Sequence, residues 1–180
     1  MLWIIIAVVA VLVLWVISVQ NKLVKSDEFC NNALKQINVQ QISRFDALQA
    51  LIKLTREYAS YEADTLEKII AQRKMVSSPN PSVEDINANE AALKDIGARL
   101  IAVAEQYPDL KANENYKQTM ASIEKYEENV RLSRMTFNDT VTKYNNQVRM
   151  FPGSLVAGIL GFPQREYLAD EPAKKDYPAF

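Results

Sequence analysis

The first 78 residues contain neither proline nor glycine, and they begin with an apolar run from Leu2 to Val19. Proline and glycine are the strongest helix breakers, so their absence favours one continuous helix. The run of about 18 residues makes roughly 27 Å of helix, close to the roughly 30 Å hydrocarbon core of a bilayer. The sequence therefore predicts a transmembrane anchor over residues 1–20 that continues as a long helix in water, to about residue 76.

The residues around the apolar run predict how it lies in the membrane. Trp3 and Trp15 stand near its two ends, where indole rings favour the headgroup zone. Lys22 and Lys25 follow the run and no basic residue precedes it, so the positive-inside rule places the C-terminal domain in the cytoplasm. The start lacks the basic residues of a signal peptide, and no small-residue cleavage site follows. We expect a retained, single-pass anchor.

The sequence as a whole predicts an all-α fold, in which an N-terminal transmembrane helix continues into a long-helix, antiparallel, coiled-coil-like bundle. Beyond residue 78, proline-containing breaks divide the chain, and apolar residues at helical spacing predict helices at about 82–106 and 113–151 and a short helix at 154–161. The 113–151 segment keeps a 4-3 repeat for five heptads, which is typical of coiled-coil packing. The bundle domain is expected to span residues 21–162, and residues 163–180 are expected to form a weakly ordered tail.

Composition limits the chemistry that the chain can perform. It has no histidine, the commonest general base and the usual zinc ligand, and its single cysteine cannot form an internal disulfide. The 21 basic and 22 acidic side chains are interspersed, so no basic face for nucleic acid is expected. We predict no catalytic residues, no cofactor, no metal and no nucleic-acid partner.

A few charged residues fall on the apolar seams of the predicted helices, and they have two interpretations. They could form a buried carboxylate cluster for metal binding or proton transfer, although a di-iron bundle would also need histidines. The interpretation that we favour is structural, with arginine–glutamate pairs that fix helix register. These polar seam residues are Arg44, Glu62, Glu90, Glu127 and Arg134.

Two aromatic–asparagine pairs, Phe137-Asn138 and Tyr144-Asn145, repeat after seven residues. The aromatic residues lie on the seam, which indicates core packing with asparagine hydrogen bonds across helices, or else an interface between subunits. The apolar stretch 154–162 is too short to span a membrane; it could cap the core, dock on a neighbouring subunit or lie on a membrane surface.

The lengths of the predicted helices suggest self-assembly. The first helix outside the bilayer would extend about 85 Å, against about 38 Å and 58 Å for the next two. With short connections and antiparallel neighbours, the second helix would return only partway to the membrane and leave an uncovered stripe of Phe29, Ala33 and Ile37. We therefore expect a homo-oligomer. The candidate interface residues are Phe29, Ile37, Phe137, Tyr144, Phe151, Leu155 and Phe162.

Several short strings together resemble the LemA family of bacterial membrane proteins. They include Arg44-Phe-Asp-Ala-Leu48, Tyr107-Pro-Asp-Leu-Lys-Ala112, Phe137-Asn138, Tyr144-Asn145 and Phe151-Pro152, in the order and spacing of the family. The resemblance covers about residues 20–170. It implies a single-pass anchor, a helical bundle and a place in the bacterial inner membrane, without an agreed catalytic activity.

These observations predict a membrane-anchored scaffold or adaptor that self-assembles through coiled-coil-like faces. Its expected partners are the lipid bilayer, further copies of the chain and other membrane proteins. The alternative is a membrane-shaping protein that engages lipid through residues 154–162. An enzyme or metal carrier that uses the seam carboxylates is a third class, disfavoured by the residue inventory.

Overall fold

The computed structural model describes residues 1–58 and 78–169, and every regular element within them is a helix. A long N-terminal helix leads into a helical bundle, which confirms the predicted fold class. The helices are α1 (Leu2–Tyr58), α2 (Val83–Glu105), α3 (Pro108–Ala112), α4 (Glu114–Arg149) and α5 (Gly153–Leu160). The part of the first helix predicted beyond residue 58 lies outside the described residues.

Helix α1 changes character along its length. Its first 17 residues, up to Ser18, are all exposed, and among the described helices it is the one that is long and apolar enough to cross a membrane. Leu23 is buried, and from Cys30 onward at least one side chain in every three or four residues is buried against the rest of the chain. The same unbroken helix therefore supplies both the apolar segment and the central element of the bundle.

Helix α2 runs parallel to α1. Its start is fixed by a capping box, in which the Ser82 hydroxyl accepts a hydrogen bond from the Asp85 amide (3.0 Å) and the Asp85 carboxylate accepts one from the Ser82 amide (2.8 Å). Along α1, Gln41 contacts the start of α2 at Ile86, and Leu48 faces Gly97 further on. The two helices therefore point away from the anchor together.

The parallel direction of α2 differs from the antiparallel return that the sequence suggested. The Asn38 amide donates a hydrogen bond to the carbonyl oxygen of Ser78 at 2.8 Å, so the chain is already back beside the lower part of α1 at residue 78. The start of α2 therefore lies beside the lower part of α1 and not beside its far end.

Helix α4 runs antiparallel to α1 over the whole height of the bundle. At the far end, Asn113, which caps α4, bonds to Tyr58 (2.9 Å); Asn129 bonds to Gln40 (3.3 Å) at mid-height, and Gln147 bonds to Ser26 (3.0 Å) at the membrane end. Because α4 reaches the membrane end, it covers the stripe that was expected to be open.

Ile37 is consequently fully buried within the chain, which corrects its assignment as an interface between subunits. Ala33 packs against the same core, and Phe29 remains half exposed. The expectation failed because it assumed that neighbouring helices are antiparallel, so that the second helix returns only partway and the third points away; instead α2 is parallel to α1 and α4 returns along it.

The core consists of three apolar clusters stacked along α1. The far cluster joins α1 to α2, α3 and the start of α4, around Leu48, Leu93 and Leu100. The middle cluster joins α1 to the lower half of α4, around Cys30, Ile37 and Tyr144. The basal cluster joins Leu23 of α1 to Val156 and Ala157 of α5.

The predicted weakly ordered tail begins with an ordered segment. Residues 163–169 have no helix or strand, yet Leu168 is buried in the middle cluster. We call residues 163–169 the strap, because they lie along α4 and tie it to α1. Residues 170–180 lie outside the described residues.

Candidate functional site

The polar seam is a buried ion-pair network that joins three helices. The Arg44 guanidinium donates from Nη1 to Glu90 of α2 at 2.8 Å and from Nη2 to Glu127 of α4 at 3.2 Å. Arg44 and Glu90 are almost completely buried, whereas the Glu127 side chain is 44% exposed. The Lys94 ammonium lies 3.9 Å from Glu90 and adds a second positive charge. The network links α1 to α2 and α4, and its role in fixing helix register stays a prediction.

The uncharged part of the network is incompletely paired. Gln41 donates both to the Ile86 carbonyl oxygen (3.0 Å) and to Glu90 (3.3 Å), while its own Oε1 is buried and has no hydrogen-bond partner. The Arg44 Nε is also buried and has no hydrogen-bond partner. Buried polar groups without partners are uncommon and destabilising. These unpaired groups therefore offset part of the stabilisation that the network provides.

The structure does not bring all the predicted seam residues together. Glu62 lies outside the described residues, and Arg134 lies lower on α4, where it bonds to Asn87 (3.2 Å) and the Ala169 carbonyl oxygen (2.7 Å). Arg131 pairs with Glu128 (2.8 Å), since Glu127 turns inward to Arg44. Over the part of the chain that the structure describes, no three acidic or cysteine side chains meet in a metal-binding arrangement.

The two repeated asparagines hold the strap. The Asn145 side chain donates to the Arg165 carbonyl oxygen (2.9 Å) and accepts from the Arg165 amide (2.9 Å). Asn138 makes the same pair of bonds with Leu168 (3.2 and 3.0 Å). Seven residues of helix rise about 10.5 Å, and three residues of extended chain span about 10 Å, so the two spacings match.

Phe137 and Tyr144, which precede these asparagines, are buried in the middle cluster. Both aromatic side chains therefore pack in the core. The neighbouring asparagine side chains bond to the backbone of the strap and not to another helix. Burial, together with the nearby Asp27 carboxylate, raises the pKa of Tyr144, whose hydroxyl donates to the Pro163 carbonyl oxygen (2.9 Å).

A long-range ion pair ties the strap to α1. The Arg165 guanidinium donates to Asp27 at 2.6 Å and to the Asn31 side-chain oxygen at 2.8 Å. The hydrogen bond that Arg165 donates to Asp27 raises the pKa of Arg165. Sequence patterns do not predict this site, because an isolated arginine in a nonperiodic segment gives no signal; the heptad spacing of the two asparagines is the available clue.

The remaining candidate site residues lie at or near the membrane end of the bundle. Trp3 and Trp15 lie on the exposed apolar part of α1, and Lys22 and Lys25 follow within the next three turns. Phe162 packs against the basal cluster, while Phe151 and Leu155 are exposed at 78% and 56%. Lys25 also lies over the ring of Phe29, 5.8 Å from its centre.

These features define an all-α protein in which an apolar N-terminal helix passes without a break into a strapped helical bundle. The sequence model described as "LemA family" matches residues 33–179. The chain belongs to the LemA family, which confirms the resemblance seen in its sequence, and it is a membrane-associated protein.

Individual relatives are similar over parts of the chain. Protein LemA of Metamycoplasma hominis is 25% identical over 138 residues, which cover 77% of this chain and 63% of that protein. Magnetosome protein MamQ 1 of Paramagnetospirillum magneticum and magnetosome protein MamQ of Magnetospirillum gryphiswaldense are each 35% identical over 75 residues. Those matches cover 42% of this chain and 28% of each magnetosome protein, so the chain spans well under a third of their length.

Proposed function

We propose that the protein is a non-catalytic membrane scaffold or adaptor that self-assembles and presents its bundle on the cytoplasmic side of the bacterial inner membrane, anchored by a single pass. The observation that supports it most is the unbroken α1 from Leu2 to Tyr58. A helix without proline or glycine transmits position rigidly, so the anchor and the bundle form one rod. Such a rod holds a binding surface at a fixed height above the bilayer.

The interior of the rod supports a structural role. Its centre is filled by the stacked apolar clusters and by the arginine–glutamate network, and the described acids there are paired with cations. A catalytic site would require perturbed acids in an accessible cleft. The partners of the scaffold are further copies of the chain and other membrane proteins.

Exposed apolar side chains on α4 offer a surface for self-assembly. Leu132 and Met135 stand three residues apart, hence on one helix face, and are 47% and 55% exposed. Contiguous exposed apolar groups away from the membrane mark contact surfaces. They replace Ile37 as candidates for contact between copies.

Native mass spectrometry of the full-length protein in mild detergent tests self-assembly. We expect particles whose masses are multiples of the 20.4 kDa chain. Replacing Leu132 and Met135 together by glutamate should shift them toward one chain, whereas Ile101→Glu, a similarly exposed position on α2, should not. A wild-type protein that is entirely one chain per particle would contradict self-assembly.

A membrane-shaping role is the second candidate, and the placement of α5 favours it. This helix packs on Leu23, one turn beyond the apolar segment of α1, and turns Leu155, Ile159 and Leu160 outward with exposures of 56%, 83% and 44%. It contains no charged residue. An apolar face at this height fits the boundary between headgroups and acyl chains.

Fluorescence quenching in proteoliposomes tests this second candidate. A polarity-sensitive dye on Ile159→Cys, in a Cys30→Ala background, should be quenched by lipids that are spin-labelled near the headgroup. The same dye on Met135→Cys, far up the rod, should not be. Equal quenching at the two positions would contradict lipid contact by α5.

A further inference from the structure

A cleft opens at the membrane end of the bundle, between α1 and the turn from α4 to α5. It has a volume of about 260 Å³. We call it the basal cleft; its walls include Val19, Lys22, Leu23, Gln147, Met150 and Phe151. None of the residues that line it is acidic.

The position of the basal cleft along α1 sets its depth in the membrane. The exposed apolar segment ends at Ser18, and the α1 residues of the cleft, Val19 to Leu23, occupy the next 6 Å or so of helix. The headgroup layer on each side of a bilayer is roughly 5 to 8 Å thick, judged from total thickness and core thickness. The cleft therefore lies at the level of lipid headgroups.

The walls of the basal cleft are divided by chemistry in the way that a phospholipid requires. Val19, Leu23, Met150 and Phe151 form an apolar side, and the last two are 64% and 78% exposed. Exposed aromatic and thioether groups of this kind are suited to acyl chains.

The polar side of the basal cleft is cationic. The Lys22 ammonium is its one charged group, and the Gln147 amide adds hydrogen-bond donors. Gln147 is held in place because its Oε1 accepts a bond from Ser26 at 3.0 Å. A single lysine beside neutral donors at a membrane surface favours an anionic headgroup.

We propose that the basal cleft binds an anionic phospholipid of the bilayer, with its phosphate on Lys22 and Gln147 and one acyl chain against Met150 and Phe151. The proposal depends on membrane insertion of α1 and does not depend on self-assembly. It gives the bundle a second attachment to the membrane, at the base of the rod.

Native mass spectrometry with defined lipids tests the site. Full-length protein is exchanged into detergent that contains phosphatidylglycerol or phosphatidylcholine with identical acyl chains, and lipid-bound fractions are measured. We expect preferential retention of phosphatidylglycerol. Lys22→Gln should lower that fraction about fivefold, because it removes the one cation that lines the cleft. Phe151→Gln should also lower the retention of phosphatidylglycerol, because it removes an apolar group proposed to contact the acyl chain.

Lys25→Gln is the matched control, because Lys25 is on the next turn of α1, does not line the cleft and stacks near Phe29. It should change the phosphatidylglycerol fraction less than twofold. Equal retention of the two lipids by the wild type, or equal losses in the two lysine variants, would overturn the proposal. The same spectra count the chains per particle, so failure of lipid binding and failure of self-assembly are distinguished.

Discussion

At the residue scale, Arg44 holds three helices together through two carboxylates of different exposure. Replacing it by alanine leaves the buried Glu90 carboxylate without its main partner, so we expect a loss of about 3 to 5 kcal/mol in the free energy of unfolding. Chemical denaturation followed by circular dichroism measures it. Arg99→Ala, which removes an exposed pair with Asp95, should cost less than about 0.5 kcal/mol.

The double variant Arg44→Met with Glu90→Leu distinguishes a lost ion pair from lost packing. If the cost comes from the unpaired Glu90 charge, the double variant should recover most of the stability, because apolar replacements of buried pairs are well tolerated. A double variant no more stable than Arg44→Ala would contradict this explanation.

Asn145 offers a second test at the residue scale. Aspartate has nearly the same shape but cannot donate, so Asn145→Asp places a carboxylate against the Arg165 carbonyl oxygen, which the asparagine now bonds. We expect hydrogen exchange at the Arg165 amide to become at least tenfold faster. Asn146→Asp, at the exposed neighbouring residue, should leave that rate unchanged.

Cys30 should make stability depend on pH at the alkaline end. Burial raises the pKa of its thiol above the usual 9.0, and the Asp27 charge acts in the same direction. Unfolding restores the lower pKa. The stabilising contribution of the protonated thiol to the free energy of unfolding is therefore fully present below about pH 9, and it is lost as the pH rises through the folded-state pKa. Thermal unfolding from pH 8 to 11 should show a melting temperature that falls less steeply in Cys30→Ala than in the wild type.

The buried positions of Phe137 and Tyr144 could be predicted from the sequence, because heptad spacing reports which face of a helix is apolar. The hydrogen-bond partner of each neighbouring asparagine could not be predicted in this way. That partner is the main chain of an extended segment, and main-chain groups are the same at every residue.

At the element scale, the turn into α5 depends on one glycine. A Cβ at Gly153 would overlap the Gln147 carbonyl oxygen, whereas a Cβ at Gly158 would meet nothing within 4 Å. Gly153→Ala should therefore displace α5 and speed hydrogen exchange at Val156 and Ala157. Gly158→Ala should leave exchange there unchanged or slower, since alanine favours helix by about 1 kcal/mol.

The direction of α2 is the element-scale feature that the sequence could not supply. Apolar residues at 3-4 spacing, such as Leu93 and Leu100, fit an up or a down orientation equally well. The contact that distinguishes the two orientations joins Asn38 to Ser78. These residues are 40 apart in sequence, and no local pattern encodes their contact.

At the scale of the whole molecule, α1 should behave as one rigid rod. Spin labels on Leu12→Cys and Lys53→Cys, both exposed and 41 residues apart, should give a single narrow distance of roughly 60 Å in nanodiscs by pulsed electron resonance, in a Cys30→Ala background. A broad or shorter distribution would contradict a continuous helix across the membrane surface.

The all-α class and the apolar segment could be read from the sequence, since both depend on composition and on length. The prediction that Ile37 lies between subunits depends on helix lengths and on assumed helix directions, and it is wrong because α4 returns along α1 and Ile37 is buried within the chain. Which surfaces remain open is a property of the complete packing.

The absence of proline and glycine in α1 has a mechanical consequence. From Gln20 to Tyr58 the helix extends about 58 Å from the membrane, so a change of 10° in the tilt of the anchor moves the far end sideways by about 10 Å. Transmembrane helices tilt to match the thickness of their bilayer. With α1 inserted as proposed, the bundle would therefore act as a lever arm, and local thinning or thickening of the membrane would displace its far end.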